Sequence, residues 1–355
     1  MPSIPSIQLP DLLSLGRAFD LRTNRHCHAV TYASEQWFAT QRQALSDTER
    51  AALRSLKIGL WASTCFPTSD PPQLRLATDF LTSLVTCNGR LVHARTLRDC
   101  GWTDERSHNG WECLSGNVLF QPLMQRLTSA MSSDTSRGNF GRSSEAFRTA
   151  QMQILAYRQN HTLPNADAYV ELRRDLSGMP MVFDLLEMTE GLPSSSRDEP
   201  CKSFNHLAAD MIALSMDIFA YNNDQFNGND FNIVSIIRTE KGVSAQGAIN
   251  CAFDLIANSF QKFFRAESAL FLGQSPPSPT SAWTWNLLGR KEPPLQATLS
   301  QLPPAHDAGL YLRGLKDCII GTMNWSYETD LYFGSKGDEV RQFGWVFLKP
   351  RSDEQ

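Results

Sequence analysis

Apolar side chains recur every three to four residues over residues 74–85, 147–158, 166–174, 207–221 and 247–271. That spacing lines one face of an α-helix. Period-two alternation flanked by tight Asn-Gly turns is almost absent, so the pattern predicts an all-α chain. With 355 residues the chain can bury a large core as one helical domain, although length alone would also allow two. No internal repeat or linker divides it. Residues 21–349 therefore read as one helical body, preceded by segment 1–20 and followed by tail 350–355. Two stretches, 132–144 and 273–304, lack clear periodicity and read as loops. The second holds Pro276, Pro277, Pro279, Pro293, Pro294, Pro303 and Pro304. Such a composition fits a surface connection. A lid over a pocket is the alternative, with Trp283 and Trp285 as its apolar contacts. Gly178 and Pro180 interrupt a helical pattern just after Arg174, which predicts a helix break there.

Composition excludes several classes of function. A 41% hydrophobic content, 20% charged residues and a formal net charge of -4 are ordinary for a globular protein and give no basic surface for nucleic acid. Residues 1–10 lack a basic patch followed by a long apolar run, so neither a secretory signal nor a membrane anchor is expected, and the cytoplasm is the expected location. Eight cysteines stand at 27, 65, 87, 100, 113, 201, 251 and 318 without a C-x-x-C pair. They are expected to be reduced, mostly buried thiols rather than disulfides or zinc ligands. The histidines, including His26, His28, His93 and His206, show no metal-ligand spacing and are given no catalytic role.

Short motifs run in order along nearly the whole chain. They are Asn24-Arg25-His26, Ser34-Glu35-Gln36-Trp37-Phe38, Phe66-Pro67, Leu74-Arg75-Leu76-Ala77-Thr78-Asp79-Phe80, and Leu172-Arg173-Arg174-Asp175-Leu176-Ser177-Gly178. Later come Ser215-Met216-Asp217-Ile218-Phe219-Ala220-Tyr221-Asn222-Asn223-Asp224-Gln225 with Gly228, Asp230 and Asn232, and then Trp325-Ser326-Tyr327-Glu328 to Gly334, ending at Gly344-Trp345-Val346. Together they resemble the fungal class I terpene synthases. The resemblance implies a single-domain helical bundle around a central apolar pocket, with a small terpenoid substrate and magnesium held against a diphosphate. It also makes Arg174, four residues before Gly178, the expected diphosphate sensor.

The chain departs from that family where the metal should be held. Asn88, nine residues beyond Asp79, replaces the first acid of the family's D-D-x-x-D motif, and Gly89 and Val92 replace others. In the N-D-x-x-S-x-x-x-E segment the Asn is Met216, the Ser is Ala220 and the Glu is shortened to Asp224. Leu331 replaces the arginine of an Arg-Tyr pair. Magnesium prefers oxygen ligands, carboxylates above all, and one carboxylate does not assemble the family's three-ion cluster.

The leading expectation is therefore a metal-independent cyclase of secondary metabolism that uses no cofactor. It would fold a functionalised terpenoid or polyketide and close it by an intramolecular Diels-Alder or proton-triggered reaction, without ionising a diphosphate. Arg174, Asp224, Tyr332 and Asn88 are its candidate catalytic groups. Trp61, Phe80, Arg90, Phe183, Met216, Phe219, Ala220, Trp325 and Leu331 are its candidate substrate contacts. Two alternatives stand beside it. One is a magnesium-dependent sesquiterpene or diterpene cyclase with an unusual site built from Asp224, Asp217 or Asp230; the other is a non-catalytic member that binds a hydrophobic ligand. The expected assembly is a monomer or a homodimer. Asp210, Asp217 and Asp224 recur every seven residues, near one helical face, and a solvated stripe is one reading of that spacing.

Overall fold

Helix starts are written into the sequence as side-chain caps. The computed structural model describes residues 5–41, 44–103, 110–131, 133–190, 199–272 and 305–350. Its elements run β1 (Ser6–Gln8), α1 (Leu12–Leu15), α2 (Cys27–Thr40), α3 (Asp47–Leu56), α4 (Ile58–Cys65) and α5 (Pro71–Leu91). Three short 3-10 turns lead to α6 (Met124–Ala130), α7 (Asp134–Gln159), α8 (Ala166–Leu176), α9 (Met179–Glu190), α10 (Glu199–Phe226), α11 (Ile233–Lys241) and α12 (Ala245–Leu272). The chain closes with α13 (Ala305–Glu328), α14 (Asp330–Phe333), α15 (Gly337–Phe343) and β2 (Trp345–Phe347). Asp70 and Gln73 form a capping box ahead of α5, with proline in its first turn, and Ser46 and Glu49 do the same for α3. Each box satisfies backbone N–H groups that a helix start leaves without partners.

The five periodic stretches all lie inside helices, namely α5, α7, α8, α10 and α12. The loop expected at 132–144 does not exist beyond residue 133, because α7 already begins at Asp134. Ser133 caps it by accepting from the Ser136 N–H, and Phe140, Gly141, Ser144 and Phe147 are buried at helical spacing. Two small residues in that buried set masked its periodicity. Gly141 is small for a reason, since a Cβ there would sit 2.6 Å from the Trp111 nitrogen. Residues 273–304, where the proline-rich loop was expected, lie outside the described residues.

Helix α10 packs against α12, α13, α8, α11 and α9, while α4 packs against α13, α5 and α2. Between these groups Trp61 of α4 stacks on Trp325 of α13, with ring centroids 4.4 Å apart and planes 12° from parallel. Both indoles are fully buried, and each donates its N–H, to Thr322 Oγ1 and to the Leu56 carbonyl, at 2.8 Å. Burying such groups with their donors satisfied is what lets them contribute their apolar area to the core. An antiparallel pair joins β1 to β2, with Ile7 opposite Val346.

Several motif residues act in this framework. Asn24 donates to the carbonyls of Phe66 and Ser69 and accepts from the His26 N–H, tying the start of α2 to the turn before α5. Asp79, fully buried on α5, accepts from Ser34 of α2, Arg75 of α5 and Arg126 of α6. A carboxylate buried with two guanidiniums clamps three helices in one register. None of the eight cysteines forms a disulfide, six of them are buried, and burial pushes the Cys87 thiol up to about 11. Among the described residues no helix is long and apolar enough to cross a membrane.

Candidate active site

A cavity of about 370 Å³ lies between α4, α5, α7, α8, α10 and the α13–α14 junction. Trp61, Leu84, Val85, Ile154, Leu176 and Phe231 line its apolar part. Asn88, Asn223, Asp224, Asn227 and Asn229 supply polar groups, and Arg158 and Arg173 bring positive charge. A broader groove of about 840 Å³ along α7 and α8 is more open, carries mostly polar and charged residues, and shares none of these side chains.

The helix break expected near Gly178 shapes one wall. Gly178 adopts φ +72°, and a Cβ there would lie 2.4 Å from Leu84 Cδ1, so a larger residue meets both backbone strain and α5. Helix α8 ends at this break, which sets the direction of its two arginines. Arg173 turns inward and donates from Nε to Asp217 Oδ1 at 2.7 Å. The other Asp217 oxygen accepts from the Tyr169 hydroxyl at 2.9 Å and the Ile233 N–H at 3.0 Å. Burial alone would lower the affinity of Arg173 for its proton, yet Asp217 holds it above the usual range.

Arg174 faces a different way. Its Nε and Nη2 grip both oxygens of Asp210 at 2.8 and 3.0 Å, and it is not part of the cavity wall. The expected catalytic arginine is thus a structural pair between α8 and α10, and Arg173 is the one that reaches the pocket. Successive helical residues point about 100° apart, following from 3.6 residues per turn. The seven-residue aspartate series on α10 is not a solvated stripe, because Asp210, Asp217 and Asp224 are each bonded to partners on α8 or beyond α10.

Asp224 is the remaining carboxylate of that series. Oδ1 accepts from Asn229 Nδ2 at 3.0 Å and Oδ2 from Asn232 Nδ2 at 2.8 Å. Burial pushes its pKa up to about 6, and the two amide hydrogen bonds hold back part of that rise. Tyr332 lines the same cavity, and burial raises its hydroxyl well above the usual phenol range, so it stays a proton donor. Asn88 lines it from α5 with a buried Oδ1 that has no hydrogen-bond partner.

Of the residues singled out from sequence, the cavity brings together Trp61, Asn88, Met216, Ala220, Asp224, Leu331 and Tyr332. Arg90, Phe80, Phe183, Phe219 and Trp325 do not line it. Arg90 points away from the pocket and binds Glu49 at 2.6 Å and the Ala44 carbonyl at 2.5 Å, pinning α3 to α5. Phe80 is held in a cluster with Phe120 and Phe140. Phe183 is fully buried on α9, and Phe219 packs on Tyr327, Tyr332 and Phe333. Trp325 stands behind Trp61 as its stacking partner. Sequence reading passed over Arg158, Arg173, Tyr169, Asn229 and Phe231, which the fold brings to the pocket. Only Arg173 had a signal, as the neighbour of Arg174 in a recognised motif.

Residues 112–262 match the model of terpene synthase family 2, C-terminal metal binding. Sesquiterpene synthase Agr1 of Cyclocybe aegerita and sesquiterpene synthase 1 of Postia placenta are each 28% identical to this chain. These alignments cover 98% and 97% of this chain and 95% and 96% of the relatives. The chain is similar to terpene synthases along nearly its whole length. Its fold is the all-α class I terpene synthase fold, and solved structures agree. An α-eudesmol synthase superposes with a TM-score of 0.66 at 13% identity over 87% of this chain and 96% of that one. Germacradien-4-ol synthase from Streptomyces citricolor gives 0.63 at 19% identity over 91% and 98%.

These relatives correct two expectations for this chain. The metal-independent, Diels-Alder-type reading and the absence of a cofactor both yield to a family whose matching segment is described by metal binding and whose relatives are named sesquiterpene synthases. The donor set of the pocket fits that correction in a reduced form. Among the described residues no group of three or more His, Cys, Asp and Glu side chains is placed to hold a metal. Magnesium, however, is commonly anchored by one or two carboxylates, with waters and substrate phosphates completing its shell. Asp224 supplies one carboxylate, fixed by Asn229 and Asn232, and Asn88 supplies a neutral oxygen without a partner. A full cluster of protein ligands is not needed where water and substrate oxygens complete the shell.

Proposed function

We propose that this chain is a magnesium-dependent sesquiterpene cyclase with a pared-down metal site, acting on a fifteen-carbon prenyl diphosphate. The observation that carries the reading is one cavity with an apolar interior and a fixed carboxylate, Asp224, among its polar groups. The relatives named sesquiterpene synthases support the substrate class. A volume of about 370 Å³ supports it as well, standing near the lower end of the roughly 300–1,000 Å³ common for small-molecule sites.

Magnesium, when bound, would neutralise charge on the diphosphate leaving group. Asp224 would hold it, with Asn88 as an additional oxygen and Asn229 and Asn232 orienting the carboxylate. Met216 and Ala220 contribute wall rather than ligands at positions where the family pattern has oxygen donors. Trp61, Leu84, Ile154 and Phe231 exclude water and confine the prenyl chain, which removes much of the entropic cost of ring closure. Aromatic faces of Trp61, Phe231 and Tyr332 stabilise positive charge that develops on the chain. Tyr332 keeps its proton and offers a hydroxyl donor to the same cavity.

Incubation with farnesyl diphosphate and with geranylgeranyl diphosphate, with magnesium or with a chelator, tests this by gas chromatography of the extracted products. A cyclic fifteen-carbon product formed only with magnesium is expected. Absence of a cyclic product from either substrate would overturn the reading.

A further inference from the structure

The pocket contains a guanidinium that no carboxylate neutralises directly. Arg158 sits in the last turn of α7. Its Nη1 donates to the carbonyls of Leu91 and Ala94 at the end of α5, the second at 3.1 Å. Its Nη2 reaches Asn229 Oδ1 at 3.4 Å, and its guanidinium carbon lies 5.3 Å from the centre of the Phe231 ring. Among the described residues it makes no ion pair. Burial lowers its hold on its proton, and Asp224 opposes that only through space. The other two arginines beside α10 differ, because Asp217 and Asp210 engage Arg173 and Arg174 directly.

Asn229 explains why Arg158 and Asp224 stay apart in one cavity. Its Nδ2 donates to Asp224 Oδ1 at 3.0 Å while its Oδ1 faces Arg158 Nη2. One carboxamide therefore touches both charges and occupies the place where they would meet. A guanidinium has five N–H donors, and the contacts above leave the Nε–H and one Nη2 hydrogen of its fork uncommitted. That edge is the one suited to two oxygens of a phosphate or carboxylate. Leu331, where the family pattern has an arginine, lines the same cavity.

We propose that Arg158 is the diphosphate-binding cation of this pocket and that Asn229 is a positioning residue that prevents it from collapsing onto Asp224. The site then accepts a metal and an anion as a pair, one beside each charge. This rests on the cyclase reading given above, and it assigns the anion end of the site to a residue outside the recognised motifs.

Calorimetric titration of the full chain with inorganic diphosphate in excess magnesium tests it, alongside diphosphate release from farnesyl diphosphate. The Arg158→Met variant is expected to lose about tenfold to a hundredfold in diphosphate affinity, the range of one charge-assisted contact. Adding Leu331→Arg to that variant is expected to restore binding. Because Arg158 also caps α5, Asn229→Ala provides a second line, since it leaves the Leu91 and Ala94 contacts in place; weaker diphosphate binding is again expected. If wild type binds and releases diphosphate while Arg158→Met and Asn229→Ala bind it as tightly, this inference fails and the cyclase reading stands. If wild type neither binds nor releases diphosphate, both fall.

Discussion

Asp224 and Arg174 show what a single position can and cannot reveal. Asp224 has a folded pKa of about 6 against an ordinary 3.8, so the metal-free native state holds a proton that the unfolded chain has already released. Its stabilising contribution is full below about pH 4 and is lost as pH rises through about 6. Asp224→Asn should flatten that limb and raise metal-free stability at pH 8 by about 1–3 kcal/mol. Urea unfolding at pH 4, 6 and 8 measures it, and a limb that survives the substitution would contradict the burial argument. Arg174→Met leaves Asp210 largely buried without its guanidinium and should cost about 1–3 kcal/mol. It should leave diphosphate affinity unchanged, which titration of the variant checks. The motif spacing pointed to Arg174, but spacing does not say which of two adjacent helical arginines faces a cavity. That choice is made by Asp210 and Asp217 on the facing helix.

At the scale of elements, periodicity located the interiors of α5, α7, α8, α10 and α12 and left their ends undefined. The first half of α7 escaped because Gly141 and Ser144 are buried small residues, and the reason for their size is a neighbour distant in sequence. The break between α8 and α9 was legible because Gly178 and Pro180 are local signals. Two glycines make opposite predictions. Gly178→Ala forces a positive φ and a contact with Leu84, and should destabilise by about 1–3 kcal/mol. Gly89→Ala in α5 meets nothing within 4 Å and should stabilise by about 0.5–1 kcal/mol. Thermal unfolding of both variants tests the pair, and equal shifts would contradict the packing described for α5.

The whole molecule assembles its pocket from segments as distant as Trp61 and Tyr332. The family was legible in sequence because its motifs also build the frame, as Asn24, Ser34, Asp79 and Trp325 do here. The chemistry was less legible. Counting lost acids treated the metal site as a property of the protein alone, whereas a carboxylate held by two asparagines leaves room for a substrate to complete the shell. Arg158 and Asn229 lie outside the recognised motifs and meet only in the folded chain. The most direct test is the rate of diphosphate release from farnesyl diphosphate as magnesium is varied, for wild type and Asp224→Asn. Release that saturates with magnesium in wild type and is lost in Asp224→Asn is the expected result. No release, or release indifferent to magnesium and to that substitution, would contradict a metal-dependent cyclase built on Asp224.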